Sequence, residues 1–367
     1  MAGSGSLPPH VEDMRTRVRV GQKAASYTAD YSAAGAFAAM GVDTAFDAEG
    51  FRMGLKVEVV EKSADGLEMC FDVIGIEAPI ANALRRILLA EVPTMAIEYV
   101  DIYNNTSIIN DEVLAHRLGL IPINADPRRF EPAEIGETGF EPSAETTLTF
   151  KLQKICTRVA GVASSAPESE KYEGSAVYAR DLEWLPIDDA QREAFADKPA
   201  AAVHGDILIA KLRPGQELDL ELKCVKNVGK VHAKWSPVAT ASYRLMPDVR
   251  LVKPVEGGAV DKLMELMPNV FSVEKAKGAK GGRRAVVENP RACTFDRNVL
   301  EPSIAGEELA QSVELYRIKN HYIFSLESTG ALSCEELVGE ALDILAGKCA
   351  TARDDIEKTL ALKMQDT

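Results

Sequence analysis

Alternation marks the first regular stretch of the chain. Leu55, Val57 and Val59 alternate with Lys56 and Glu58, and after a turn at Asp65 and Gly66 the pattern resumes as Leu67, Met69, Phe71 and Val73 against Glu68, Cys70 and Asp72. A period of two sends each set to one face of a strand, so the stretch predicts an antiparallel hairpin with one buried face. Pro79 then opens a helix, where its missing N–H costs nothing, and Pro93 closes it near Glu91 by disfavouring helical backbone in the residue before it. At the helical period Ile80, Ala83, Leu84, Ile87 and Leu88 form one broad stripe, with Asn82, Arg85, Arg86 and Leu89 opposite. Two adjacent arginines beside an outward leucine suit a face that meets a second body. A solvated polar face with one stray leucine fits the same letters.

The middle of the chain changes period. Residues 110–119 predict a second helix, with Asn110 as N-cap, Asp111 and Glu112 at its positive end, His116 and Arg117 at its negative end, and Gly119 as a left-handed stop. Glu112 and His116 stand four apart, a spacing open to metal, but dipole pairing accounts for them without one. Leu148, Phe150 and Leu152 alternate as a strand, and 206–224 reads strand, turn, strand, with Leu218, Leu220, Leu222 and Cys224 on one face. Between them lie loop-like stretches and three aromatic candidates for burial, Tyr172, Tyr178 and Trp184.

A further strand is expected over 238–245 and a short amphipathic helix over 259–267, ended by Pro268. Residues 275–284 carry Lys275, Lys277, Lys280, Arg283 and Arg284 and read as a basic loop, either solvated or touching an acidic partner. Tyr322, Phe324 and Leu326 share one strand face, and Ser333 with Glu336 forms a capping-box pattern. Val338, Ala341, Leu342, Leu345, Cys349, Ala352, Ile356 and Leu360 then recur at helical steps for about 40 Å. So long a stripe exceeds what a small hairpin covers, which suggests pairing with another chain.

Composition narrows the function. With 367 residues the chain is long enough for about two domains. A formal charge of −14 opposes binding nucleic acid through a global field, so contact with DNA or RNA is expected only indirectly. No stretch approaches the about 18 apolar residues of a membrane helix, and the N-terminus lacks the apolar core of a secretory signal. The six cysteines are far apart and the five histidines scattered, so no metal site and no cofactor is expected. There is no phosphate-binding GxxxxGK[ST], no HExxH and no GxSxG, so no catalytic residue is proposed. Residues 1–50, rich in Ala, Gly and Ser without a sustained period, read as an extension that orders only against a partner.

Laid out in order, these segments resemble the α-like subunits of multisubunit DNA-dependent RNA polymerases, most nearly the larger α-like class shared by eukaryotic polymerases I and III. The matching stretches are IANALRRILLAEVPTMAIEYV (80–100), NNTSIINDEVLAHRLGLIPI (104–123), VYARDLEW (177–184), GDILIAKLRPGQEL (205–218), HAKWSPVATASYRLMP (232–247) and HYIFSLESTGALSCEEL (321–337).

The resemblance implies an α+β fold. A discontinuous dimerisation domain, about 51–96 and 237–367, would be interrupted by a β-rich insert at 97–236, after the extension 1–50. It implies a non-catalytic scaffold that pairs with the smaller α-like subunit and docks the largest and second-largest subunits for rRNA, tRNA and 5S RNA transcription, in nucleus and nucleolus. Asn82, Arg85 and Arg86 would face the second-largest subunit. Ile80, Leu84, Ile87, Leu88, Val338, Leu342, Leu345 and Ile356 would form the dimerisation interface. The polymerase II counterpart, usually carrying a zinc-binding cysteine cluster in its insert, is disfavoured because this insert has only Cys156 and Cys224. A stand-alone assembly protein on the same fold is the other reading. The bacterial relative continues into a DNA-binding domain not seen after Thr367, so direct promoter reading is not implied.

Overall fold

A computed structural model describes residues 8–28, 46–133, 135–136, 139–162, 167–276, 278 and 280–365. Helix and strand occupy near-equal shares, 34% and 35%, which makes the class α+β. The larger sheet runs in the order Ala25–Ser26, Arg17–Val20, Val313–Ser328, Glu68–Ile74, Lys56–Lys62, with Val238–Leu251 also paired to Val313–Ser328. Two compact units divide the chain: residues 1–60, 71–81 and 243–324 form the first, and 61–70, 82–242 and 325–367 the second.

In the first unit, order begins earlier than the composition suggests. Pro9–Thr16 is a helix, and Arg17–Val20 pairs antiparallel with Val313–Ser328, Arg17 opposite Ile318 and Val20 opposite Leu315. Arg17 bonds Asp248 at 2.7 Å, and Arg250 reaches back to Asp13 at 3.0 Å and to Asp248 at 2.9 Å. Residues 8–28 are therefore part of the fold, not a bare extension. Their strand is only four residues long and its partner lies almost three hundred residues away, so no local period announces it. Residues 1–7 and 29–45 lie outside the described residues.

The core of this unit gathers Val20, Val249, Val260, Leu263, Phe271, Val299 and Leu315. Val260 and Leu263 come from the helix Gly258–Leu266, close to the expected span. The two ends of the basic stretch are paired strand rather than free loop. Phe271–Lys275 pairs with Arg283–Val287, and Arg283 is tied to Asp261 at 2.8 Å; Lys277 lies outside the described residues.

The hairpin of residues 56–74 forms as expected, but its burial is lopsided. Met69, Phe71 and Val73 are buried, Phe71 stacking on Phe324 at 5.1 Å, whereas Val57 and Val59 are exposed on the edge strand Lys56–Lys62. An edge strand has one neighbour only, so its apolar residues lack the cover its partner strand receives. Asp72, on the face expected to be polar, is buried with Arg291 and with His321, whose Nε2 lies 2.8 Å from its Oδ2.

In the second unit a four-stranded antiparallel sheet takes the order Glu183–Leu185, Thr147–Ile155, Glu217–Val228, Pro93–Asn105. Leu220 stands opposite Leu152, Leu222 opposite Phe150 and Cys224 opposite Leu148, all buried, so the predicted alternation does select the core face. What alternation does not select is the partner. Leu208–Lys211 pairs with Ala176–Tyr178 and not with Glu217–Val228, so 206–224 contributes to two sheets instead of one hairpin. The helix Asp111–Gly119 stands where expected, burying Leu114 and Leu118, but Asn110 makes no side-chain cap and Gly119 is not left-handed. Gly119 serves close approach instead: a Cβ there would sit 3.3 Å from the Ile97 carbonyl oxygen.

Candidate subunit interface

The two helices expected to meet partners hold their stripes differently. In Ala78–Ala90 the buried positions are Ala81, Leu84, Ile87 and Leu88. Spaced three, three and one apart, they lie on one side of the helix. Leu84, Ile87 and Leu88 therefore offer no surface in the folded chain, which corrects the expectation that they contact a partner; a stripe reveals that a face is buried, not what buries it. Ile80, at the helix start, remains 40% exposed.

The other side of this helix carries the polar set. Arg85 Nε and Nη2 donate to Asn82 Oδ1 at 3.1 and 2.8 Å, so Asn82 holds one guanidinium against the helix surface. Arg86 is exposed and has no hydrogen bond or ion pair among the described residues. Leu89 is half-buried. Chemically, this face presents one braced and one free guanidinium, each able to take a carboxylate or backbone carbonyl from another chain.

The second helix, Cys334–Gln365, is 32 residues long. It starts on the capping box its sequence predicts: Glu336 N–H donates to Ser333 Oγ at 3.4 Å and Ser333 N–H to Glu336 Oε2 at 3.0 Å. That bond to the Ser333 backbone holds the Glu336 carboxyl below its ordinary range, with partial burial acting against it and Arg128 adding to it. Upstream, Gly330 takes φ +102°, and a Cβ there would run into Val203, so this turn admits only glycine.

Along the helix the stripe divides. Cys334, Leu337 and Ala341 are buried, and Cys334 Sγ donates to the Leu67 carbonyl at 3.0 Å; burial pushes this thiol's pKa up. Val338 and Leu345 are half-buried. The other apolar residues of the stripe stand in solvent: Leu342, between these two, is 50% exposed, and further on Ile356 is 61% and Leu360 56%. Leu337, absent from the predicted stripe, carries the anchor with Ala341; their four-residue separation is the spacing of a shared helix face. Four of the six cysteines, Cys156, Cys224, Cys293 and Cys334, are buried, and among the described residues no group of three His, Cys, Asp or Glu side chains is placed to hold a metal ion.

The chain thus combines a mixed α+β frame with a long helix covered only over its first turns. The RNA polymerase Rpb3/Rpb11 dimerisation domain matches residues 70–349, and the chain belongs to that family. It is 49% identical over 351 residues to subunit RPAC1 of DNA-directed RNA polymerases I and III from Mus musculus, covering 95% of this chain and 97% of that one. The Saccharomyces cerevisiae subunit of that name is 39% identical over 306 residues, 83% of this chain and 88% of its own. Subunit 3B of RNA polymerases IV and V from Arabidopsis thaliana is 33% identical over 291 residues, 77% and 86% of the two chains.

Proposed function

We propose that the chain is the larger α-like subunit of RNA polymerases I and III, a non-catalytic assembly subunit that supplies one half of a heterodimer. The reading rests on the likeness to the polymerase I and III subunits, which spans nearly the whole chain at higher identity than the likeness to the plant subunit of polymerases IV and V. One structural observation carries its mechanism: Ile356 and Leu360 are uncovered on a helix whose first two turns are anchored in the chain. Their partner is the smaller α-like subunit, whose own apolar helix would remove this surface from water.

The dimerisation domain is assigned to 51–96 and 237–367 and the insert to 97–236. Val338, Leu342, Leu345 and Ile356 form the pairing surface of the long helix, Ile80 is a separate pairing residue, and Asn82, Arg85 and Arg86 form the surface for the second-largest subunit. Largest and second-largest subunits then assemble on the pair, and DNA and RNA are met only through the complex. Production of rRNA, tRNA and 5S RNA places the work in the nucleus, for polymerase I in the nucleolus.

Affinity purification through this chain, followed by mass spectrometry, tests the reading. It should retrieve the smaller α-like subunit together with the large subunits of polymerases I and III. Retrieval of polymerase II large subunits instead, or of no polymerase subunit, would overturn it.

A further inference from the structure

We infer that three ion pairs around the root of the terminal helix form a mount that fixes the helix's direction, with Arg128 as its principal positioning residue for pairing. The inference rests on the heterodimer reading. Past Leu345 the helix runs on for about twenty residues, about 30 Å, and residues 346–360 are all exposed. A swing of about 10° at the root would carry the tip about 5 Å sideways, more than half the usual 8–10 Å spacing of packed helices. Full burial is confined to Cys334, Leu337 and Ala341 in the first turns, with Val338 and Leu345 half-buried beside them, and a helix held along one narrow face near its start can roll about it.

The ion pairs close off that roll. Arg128, in the turn Pro127–Arg129, bonds Glu336 at 2.8 Å and approaches Glu340 at 3.8 Å, two carboxylates one turn apart on the helix. It is itself preset by Asp126, which accepts from Arg128 Nε and Nη2 at 2.8 Å each and from its backbone N–H at 3.0 Å. Lys62, from the edge strand, bonds Glu335 at 2.8 Å, and Lys348 bonds Glu91 at 2.6 Å. With 3.6 residues per turn, Lys348 lies in line with the buried ridge, while Glu335 and the Glu336/Glu340 pair lie about 140° and 260° around from it. Three segments distant in sequence thus hold the helix from three directions. Each pair is part-exposed and contributes little to stability alone, so the mount governs orientation more than folding.

The test uses the full chain. Spin labels on exposed Cys349 and on Glu183→Cys, in a Cys70→Ser background, report the distance from the helix to the four-stranded sheet without any partner present. Arg128→Ala should broaden that distance distribution, and Arg128→Lys should restore part of it. The same Arg128→Ala chain should pair with the purified smaller α-like subunit about five- to tenfold more weakly, with its thermal midpoint unchanged and its affinity less sensitive to salt. An unchanged distance distribution overturns the inference, as does a loss of affinity that only tracks a falling thermal midpoint. If the distribution broadens but the unaltered chain does not bind the smaller α-like subunit, the mount stands and the heterodimer reading fails.

Discussion

The helices Ala78–Ala90 and Cys334–Gln365 carry the same kind of apolar stripe and dispose of it in opposite ways. In the shorter helix the stripe of Ala81, Leu84, Ile87 and Leu88 is spent inside the chain, leaving guanidinium groups outward. In the longer one Leu337 and Ala341 are spent inside, but Leu342, Ile356 and Leu360 are left over. Length makes the difference. Thirteen residues, about 20 Å, fit within one small core, whereas 32 residues, about 48 Å, outrun it. The surplus apolar surface of the long helix and the surplus charge of the short one are then different invitations, the first to obligate pairing and the second to docking.

The largest effect should come from the spent stripe. Leu88 is fully buried, and Leu88→Ala should destabilise the chain by about 2–5 kcal/mol through lost burial and the cavity left behind, read as a lower urea midpoint. If Leu88→Ala instead left the midpoint alone and weakened pairing, Leu88 would be interface and the contrast between the helices would collapse.

Next comes the unspent stripe. Ile356→Asp changes a side chain already in solvent, so the chain's own unfolding should hardly move. In the heterodimer it would bury an unpaired carboxylate, weakening pairing by about 2 kcal/mol or more, roughly thirtyfold in Kd by titration calorimetry. A large fall in the chain's own stability would show that the far end of the helix folds back onto it.

These two predictions also mark what the sequence could reveal. The hairpin, the helices at 78–90, 258–266 and 334–365, and the Ser333–Glu336 cap were legible because each is written within one or two turns of its own residues. The pairing of Arg17–Val20 with Val313–Ser328 was not, nor that of Leu208–Lys211 with Ala176–Tyr178, because alternation sets a strand's faces and is silent on its neighbour. Of the proposed interface, the structure shows only exposure and burial: Ile356 is uncovered on the apolar stripe of the long helix, whereas Leu84, Ile87 and Leu88 are buried, since periodicity cannot separate a chain's own core from a surface for another. Arg128 gave no signal: in DPRRF it reads as a turn residue, and Glu336 stands 208 positions away.

A smaller effect tests the charged side of the comparison. The paired change Arg85→Glu with Arg86→Glu should leave the heterodimer intact while weakening recruitment of the second-largest subunit by about 1–3 kcal/mol, seen as its loss from complexes at raised salt. Loss of the heterodimer in that variant would mean that the guanidinium face and the pairing face are one surface.

The smallest effect concerns pH and the root of the long helix. Glu336 is held below its ordinary value of 4.5, first by the Ser333 backbone N–H and further by Arg128, with burial opposing. A carboxylate with a depressed folded-state pKa lends stability that is full above its ordinary value and is lost as pH falls through the folded-state one. The chain should therefore lose stability from about pH 5 downward, and Glu336→Gln, which cannot titrate, should flatten that part of the profile. Its side chain is 42% exposed, so solvent screening keeps the contribution below about 1 kcal/mol. Thermal midpoints of both chains at several pH values would resolve it. Parallel profiles would mean that the cap at Ser333 holds without charge, and that the charge of Glu336 adds nothing to the anchoring by Cys334, Leu337 and Ala341.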